Sequence, residues 1–443
     1  MKIEKILVAN RGEIALRAIR TIKEMGKQAI AVYSVADKDA LYLQHADASI
    51  CIGPAKSSES YLSIPTIISA AEISGCDAIF PGYGFLSENQ SFVEICKHHN
   101  IKFIGPSVES MVLMSDKSKA KEVMKKAGVP VILGSDGALK DIAQAKELAI
   151  QIGLPIIVKA SAGGGGRGMR VVEKMEDLEK LFLAAQSEAL SAFGDGTLYM
   201  EKYIKNPRHI EVQVIGDEHG NVVHIGERDC SMQRRHQKLI EESPAIALDQ
   251  VTRERLLAVA VKATKAIGYH NAGTFEFLLD ADKNFYFMEM NTRLQVEHCV
   301  SEMVSGIDII EWMIRVAEGE TLFDQSKIQL KGHSIECRIT AEDPVKFIPS
   351  PGKITKYIVP GGRNVRMDSH AYQGYVVPST YDSMIGKLVV WGEDRTRAIA
   401  KMKQALSELQ IEGIKTVRDF HLAMMDNPDF IENKFDTNYL SRY

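Results

Sequence analysis

The feature that most constrains this chain is the alternation of short apolar runs with helix-like stretches over its first hundred residues. Ile6-Leu-Val-Ala9 is followed by a helical pattern through Ile22, and Ala29-Ile-Ala-Val-Tyr33 is a second apolar run. Helical patterns at 64–74 and 92–98 lead to Ala78-Ile-Phe80 and Lys102-Phe-Ile104. Strand–helix repetition at this spacing predicts a parallel, doubly wound, Rossmann-like sheet. The first turn, Asn10-Arg-Gly-Glu13, lacks the G-x-G-x-x-G fingerprint, which argues against a dinucleotide despite the layout.

At roughly 150 residues per domain, 443 residues suggest about three domains. Hydrophobic residues at 45% and charged residues at 25% are ordinary globular usage, so wholesale disorder or coiled coil is excluded. A net charge of −4 argues against a generally basic nucleic-acid binder. No apolar run approaches the roughly 18 residues of a membrane span. The first ten residues read as a strand and not as a signal peptide. The six cysteines are far apart with no C-x-x-C pair, which favours free thiols in a cytoplasmic protein over zinc or disulfides.

The expected organisation is an N-terminal α/β region at 1–114, a central region at 115–330 with a lid-like module at about 131–203, and a mixed α+β region at 331–443. A helix running to about Ala127 stops at Gly128-Val-Pro130. The module holds a helix at 143–152, strands at 156–159 and 169–172, and a glycine-rich turn. Residues 209–297 read mostly as strands with one helix near 252–267. The third region has short strands, the turn Pro349-Ser-Pro-Gly352 and an amphipathic helix near 396–409.

Four constellations carry chemical information. The first is Lys159-Ala-Ser-Ala-Gly163-Gly-Gly-Gly166-Arg-Gly168. Glycines leave backbone N–H groups free to approach a phosphate. A Walker A loop would continue into a helix, whereas Met169-Arg-Val-Val172 reads as a strand. The run therefore reads as a hairpin tip able to close over phosphates, with Lys159 at the end of a strand. A plain surface hairpin is the alternative, although four consecutive glycines are costly to order.

The second is a carboxylate pair. If the runs around Glu276 and Glu289 form a hairpin centred between Asp282 and Lys283, the two glutamates face each other. Like charges so placed are destabilising unless a cation sits between them. Asn291 shares that face by the period of two. The third constellation is Asn291-Thr-Arg293-Leu-Gln295-Val-Glu297. If extended, it projects all four polar residues on the side of Glu289, with Arg293 and Gln295 suited to a small planar oxyanion and Glu297 to a base. The fourth is Glu227-Arg-Asp-Cys-Ser-Met-Gln233-Arg-Arg-His236-Gln-Lys238, dense in donors for polyanions. It also reads as a basic surface loop, or as an RNA contact through Arg234, Arg235 and Lys238. Arg338 alone reads as a surface arginine on a strand.

Together these residues resemble the biotin carboxylase family of the ATP-grasp superfamily over nearly the whole chain. The marks are Ala9-Asn-Arg-Gly-Glu-Ile-Ala15, Pro81-Gly-Tyr-Gly-Phe-Leu-Ser-Glu-Asn89, Lys159 with its glycine loop, 227–238, 289–298 and Tyr381-Asp-Ser-Met-Ile-Gly-Lys387. The resemblance implies a Rossmann-like N-terminal domain, a central ATP-grasp domain with a mobile lid, and a C-terminal α+β domain. It implies that ATP phosphorylates bicarbonate to carboxyphosphate, whose CO₂ is taken up by biotin on a biotin carboxyl carrier protein. That is the first half-reaction of acetyl-CoA carboxylase in fatty acid synthesis. A pyruvate or other acyl carboxylase, or another ATP-grasp ligase, is the alternative.

The resemblance also implies site residues. Lys117, Lys159, His209, Gln233 and His236 would contact ATP, with Gly165 and Gly166 over its phosphates and Glu201, Lys202, Tyr203 and Ile204 at the adenine. Glu276 and Glu289, with Asn291, would hold Mg²⁺ or Mn²⁺. Lys238, Arg293, Gln295 and the backbone of Val296 would bind bicarbonate. Glu297 would deprotonate it, and Arg338 would stabilise the biotin enolate. Carboxyltransferase subunits and a second copy of the chain are implied partners; nucleic acid and membrane are not. The chain departs from the family in a run of Ala162 plus four glycines where five are common. Cys299 stands where proline is common, predicting a looser turn after Glu297. No Met-Lys-Met attachment motif occurs, the nearest string being Ala400-Lys-Met-Lys-Gln404, so biotin is expected on a partner.

Overall fold

The computed structural model describes residues 2–161 and 168–442; Gly165 and Gly166 lie outside them. Five parallel strands open the chain: β1 (Lys5–Val8), β2 (Gln28–Tyr33), β3 (Ala48–Cys51), β4 (Ala78–Phe80) and β5 (Lys102–Phe103), in the order β3-β2-β1-β4-β5. Successive side chains feed opposite cores. Ile6, Val8, Ala29 and Ala31 pack with Ile14, Ile19 and Ile22 of helix Gly12–Glu24, whereas Leu7, Ile30, Val32 and Ile79 pack with Ile67 and Phe92 of helices Ile64–Ser74 and Gln90–His98. Apolar runs buried on both faces are what a parallel sheet requires. The order reverses between β1 and β4, and a crevice opens beyond their carboxyl ends, the usual ligand position in such sheets. Asn10 follows β1 there, its Nδ2 donating to the carbonyls of Pro81 and Tyr83 at 2.7 and 2.8 Å.

A three-stranded antiparallel sheet follows: β6 (Ile156–Ala160), β7 (Met169–Val172) and β8 (Leu198–Lys202), with β6 in the middle. It has its own small core of Ile156, Val158, Val172, Phe182 and Met200. Helices Val108–Ser115 and Leu178–Phe193 extend the elements expected from the sequence. The second buries Leu178, Phe182, Ala185 and Ala189, a helical spacing, and stops at left-handed Gly194.

The largest element is an eight-stranded antiparallel sheet. Its strands include β9 (Arg208–Gly216), β10 (Val222–Arg234), β11 (Gln237–Ser243), β12 (Asn271–Leu279), β13 (Phe285–Asn291) and β14 (His333–Thr340). They run in the order β13-β12-β9-β10-β11-β14, continued by strands Met384–Gly392 and Val365–Ser369. Helix Gln250–Ala266 covers one part through Leu256, Ala260 and Ala263. Helix Arg395–Glu408 covers the other through Ala398, Met402 and Leu406. The sheet is continuous from the central region into the C-terminal one. It therefore carries Lys238 and Arg338 on neighbouring strands, since β11 pairs with β14.

Two local expectations change. Residues 227–238 are mostly not a surface loop: 227–234 belong to β10, only Arg235 and His236 turn in an exposed loop, and Arg228, of zero exposure, is among the largest buried side chains. Arg228 satisfies its donors on Glu211, Gln213, Ser301 and Thr274, which is how a strand can bury a guanidinium. Residues 291–297 are not an extended comb either. β13 ends at Asn291, the chain bends, and Glu297 with φ −81° and ψ 12° leads into helix His298–Ser305. No helix among the described residues is long and apolar enough to cross a membrane.

Candidate active site

A cleft of about 1210 Å³ lies where the β1/β4 crevice, the β6–β8 sheet and the large sheet meet. Every described residue expected at the site lines it: Lys117, Lys159, Glu201 to Ile204, His209, Gln233, His236, Lys238, Glu276, Glu289, Asn291, Arg293, Gln295 to Glu297 and Arg338.

Strand register builds its floor. Glu289 pairs with Glu276, Glu276 with Glu211, and Glu211 with Arg228, a row of four charged residues across β13, β12, β9 and β10. Near the turn the β12–β13 hairpin is centred on Asp282, with Phe277 facing Phe287. A bulge before Glu276 shifts the register by one and brings Glu276 opposite Glu289. Three opposed carboxylates repel one another and need cations. Lys238 supplies one, pairing with Glu211, with Glu276 at 3.1 Å and with Glu297 at 2.7 Å. His209 supplies another, 3.1 Å from Glu276. Burial alone would depress His209, but Glu276 and Glu211 outweigh it and push it up to about 9. Burial works against ionisation of Glu276 too, yet Lys238 and His209 hold it well below the usual carboxylate range.

Glu289 is different. Burial and the neighbouring Glu276 both raise its pKa, and no hydrogen bond or ion pair from a described residue reaches it. A divalent cation between Glu276 and Glu289 would relieve this, and two carboxylate oxygens suit a hard ion such as Mg²⁺. Asn291 Nδ2 donates to Glu276 at 2.8 Å, which fixes its amide beside the pair. The donor set therefore fits the metal that the sequence implies.

The bend after Asn291 does what an extended strand was expected to do. Arg293 donates to Asn291 Oδ1 at 3.0 Å, to Gln295 Oε1 at 2.9 Å and through Nε to Glu88 at 2.8 Å. Gln295 Nε2 reaches Glu276 at 3.0 Å. Glu297, 1% exposed, is gripped by Lys238 and by Arg338 Nη2 at 2.9 Å. Burial opposes its ionisation, but these cations keep its pKa lowered, so it is a carboxylate at neutral pH. Arg338 is half-buried at the cleft wall rather than on the open surface, with its Nε 2.6 Å from Glu241. Burial pushes Glu241 up to about 7 despite that arginine. Lys387, of zero exposure, donates to the Val296 carbonyl at 2.7 Å and lies 3.2 Å from Glu13. Cys299 sits in the first turn of helix His298–Ser305, with Sγ 3.2 Å from Asp368 Oδ2 and 3.4 Å from Arg366.

At the other end of the cleft, His236 and Arg235 form a two-residue hairpin loop between Arg234 and Gln237, with φ of 65° and 49°. Left-handed backbone at two residues that are not glycine costs on the order of 1–3 kcal/mol each and clusters at functional sites. Lys159 Nζ lies 2.5 Å from Glu201 Oε2, and burial and Lys117 lower it to about 8.

Sequence reasoning missed Glu211, Lys121, Glu88 and Lys387. Glu211 follows His209 at the strand period of two, and that spacing was the available signal. Lys387 stands within a quoted motif, but nothing local marks it as buried.

Comparison with known proteins agrees with this geometry. Family models match in chain order: biotin carboxylase, N-terminal domain over 2–111; carbamoyl-phosphate synthase L chain, ATP binding domain over 116–325; and biotin carboxylase C-terminal domain over 336–442. Biotin carboxylase of Nostoc sp. is 55% identical over 442 residues, covering 99% of both chains. A crystal structure of a biotin carboxylase–β,γ-ATP complex from Campylobacter jejuni is 75% identical, with TM-score 0.96, over 100% of this chain and 99% of that one. The biotin carboxylase domain dimer of Hydrogenobacter thermophilus 2-oxoglutarate carboxylase, with MgADP, ADP and bicarbonate, is 48% identical, with TM-score 0.93, over 100% and 98%. The chain belongs to the biotin carboxylase family, ATP-dependent ligases that carboxylate biotin.

Proposed function

We propose that the cleft carries out bicarbonate phosphorylation and biotin carboxylation with the residue roles read from the sequence. The observation that carries this reading is the grip of Lys238 and Arg338 on Glu297, one buried carboxylate between two cations. In the free protein that grip makes Glu297 a weak base. Bicarbonate on Lys238, Arg293 and Gln295, and a biotin ureido oxygen on Arg338, draw those cations away, and the basicity of Glu297 rises as substrates bind. Lys387, through the Val296 carbonyl, fixes the peptide leading into Glu297.

ATP lies along the cleft with its adenine at Glu201 to Ile204 and its phosphates toward Lys117, Lys159 and His236. Glu276 and Glu289, with Asn291, hold the divalent cation, whose charge neutralises the phosphates when it is bound. Bicarbonate oxygen attacks the γ-phosphorus, the P–O bond to ADP breaks, and Glu297 accepts the bicarbonate proton. Positioning and charge neutralisation carry most of such a transfer. Carboxyphosphate releases CO₂ and phosphate, the released phosphate takes the proton of the biotin ureido nitrogen, Arg338 stabilises the resulting enolate, and its nitrogen attacks CO₂. Water must be kept out meanwhile, and the β6–β8 sheet is the lid.

We place the boundaries at 1–114, 115–330 and 331–443, and the chain in the cytoplasm, as a homodimer serving a biotin carboxyl carrier protein and carboxyltransferase subunits of acetyl-CoA carboxylase. The test is fixation of radiolabelled bicarbonate onto free biotin with Mg²⁺ and ATP. Label in biotin that requires ATP and Mg²⁺ is expected; absence of labelled biotin from active, ATP-cleaving protein would overturn the reading.

A further inference from the structure

Neither the sequence motifs nor the proposed chemistry gives Lys121 a role. It lies on helix Lys117–Lys126, one turn beyond Lys117 and on the same face, and both line the cleft. Its ammonium pairs with Oε1 of Glu201, whose other oxygen takes Lys159 at 2.5 Å. The carboxylate is 3% exposed, and two cations from different elements, the helix and β6, face this one buried group of β8. The ring of Tyr199 lies beneath both, 5.5 Å from Lys121 and 5.9 Å from Lys159.

The cluster is overcharged. Lys121 and Lys159 share one carboxylate, Glu201, Lys117 lies close to both lysines, and Glu289 beyond them is committed to the cation site. A single carboxylate needs one lysine to be neutralised, and Lys159 already serves. Burial, with Lys159 and Lys117 close by, brings Lys121 down to about 7, so its positive charge is under-compensated by the protein. Its side chain retains 24% exposure toward the cleft, enough to change partner without repacking the core. A polyanion entering the cleft is the counter-charge that this arrangement lacks.

We infer that Lys121 is a third lysine for the nucleotide phosphates, exchanging Glu201 for a phosphate oxygen when nucleotide enters and leaving Glu201 to Lys159. The inference rests on the reading of the cleft as an ATP site. Lys117 and Lys121, one helical turn apart, grip successive phosphate oxygens from helix Lys117–Lys126, beside β8.

Calorimetric titration of the full chain with a non-hydrolysable ATP analogue and with adenosine tests this. One lost charge-assisted contact predicts a Kd for the analogue about tenfold weaker in Lys121→Ala, and similarly in Lys121→Met, which keeps the aliphatic stem over Tyr199. Lys121→Arg recovers most of the loss. Adenosine affinity changes less than about twofold, and in turnover KM for ATP rises more than kcat falls. Unchanged analogue affinity in both neutral variants, or a parallel loss for adenosine, would overturn the inference, the latter because Lys121 would then act only by holding Glu201. Failure of the unsubstituted chain to bind the analogue would instead overturn the ATP reading, and this inference with it.

Discussion

Strand β11 carries two buried charge clusters, and they are built on opposite terms. At one end Glu242 accepts Arg395 Nε at 2.6 Å, Arg395 Nη2 at 3.0 Å and His333 Nε2 at 2.8 Å. The remaining guanidinium donors go to the carbonyls of Ile431 and Phe430 at 2.8 and 2.7 Å. That cluster is closed: it clamps two C-terminal helices to the sheet and has nothing left to offer a ligand. At the other end Lys238 faces Glu211, Glu276 and Glu297, with Glu289 next in the row and Lys117, Lys121 and Lys159 across the cleft. That cluster is open, with carboxylates awaiting a cation and lysines awaiting an anion. Glu242 in the one and Glu211, Glu276 and Glu297 in the other are all buried carboxylates; the completeness of pairing around them separates a clamp from a site.

The comparison breaks most sharply at Glu297. Glu297→Gln should lower bicarbonate-dependent ATP cleavage by about 10³-fold, within the range for a positioned base, while ATP affinity stays within about threefold. An equal loss of ATP affinity by calorimetry would make Glu297 a structural member of a closed cluster. Glu242→Gln should do the reverse. Removing one partner of a buried pair costs on the order of 3–5 kcal/mol, so the urea midpoint falls well below that of the parent while KM for ATP in the folded fraction holds.

The same clamp has a pH signature. Burial works against Glu242, but His333 and Arg395 take it down to about 2 from 4.5. Its contribution is therefore fully present above pH 4.5 and is lost as pH falls through about 2, amounting to at most about 3 kcal/mol. Urea midpoints measured from pH 5 downward should fall more steeply in the parent than in Glu242→Gln; identical slopes would remove Glu242 from the clamp. Arg338→Ala should then cost about 100-fold in biotin carboxylation but under tenfold in ATP cleavage, and parallel losses would sink the enolate role. Smallest is Glu289→Gln, expected to weaken Mn²⁺ binding about tenfold by electron paramagnetic resonance, with no change in the midpoint of thermal unfolding.

Much of this was legible in residue order. The parallel sheet announces itself in runs such as Ile6-Leu-Val and Ala29-Ile-Ala-Val, buried on both faces. The opposition of Glu276 and Glu289 followed from hairpin counting, although a bulge, which no local residue signals, sets it. The comb from Asn291 to Glu297 was read correctly as a cluster and wrongly as a strand. Its members meet because the chain bends and Glu88, 205 positions away from Arg293 in sequence, anchors the guanidinium. Arg338 looked like a surface residue because its partners Glu241 and Glu297 are 97 and 41 positions away. Lys121 and Lys387 were invisible for the same reason: nearby sequence cannot report pairing across strands and helices that are distant along the chain.

The central claim is that the open cluster couples ATP cleavage to bicarbonate. The most direct measurement is ADP formation by the unsubstituted chain in bicarbonate-depleted buffer, with bicarbonate restored, and with free biotin added. The account predicts negligible ADP without bicarbonate, a clear rate on restoring it and further stimulation by biotin. ADP formed equally well without bicarbonate would contradict it.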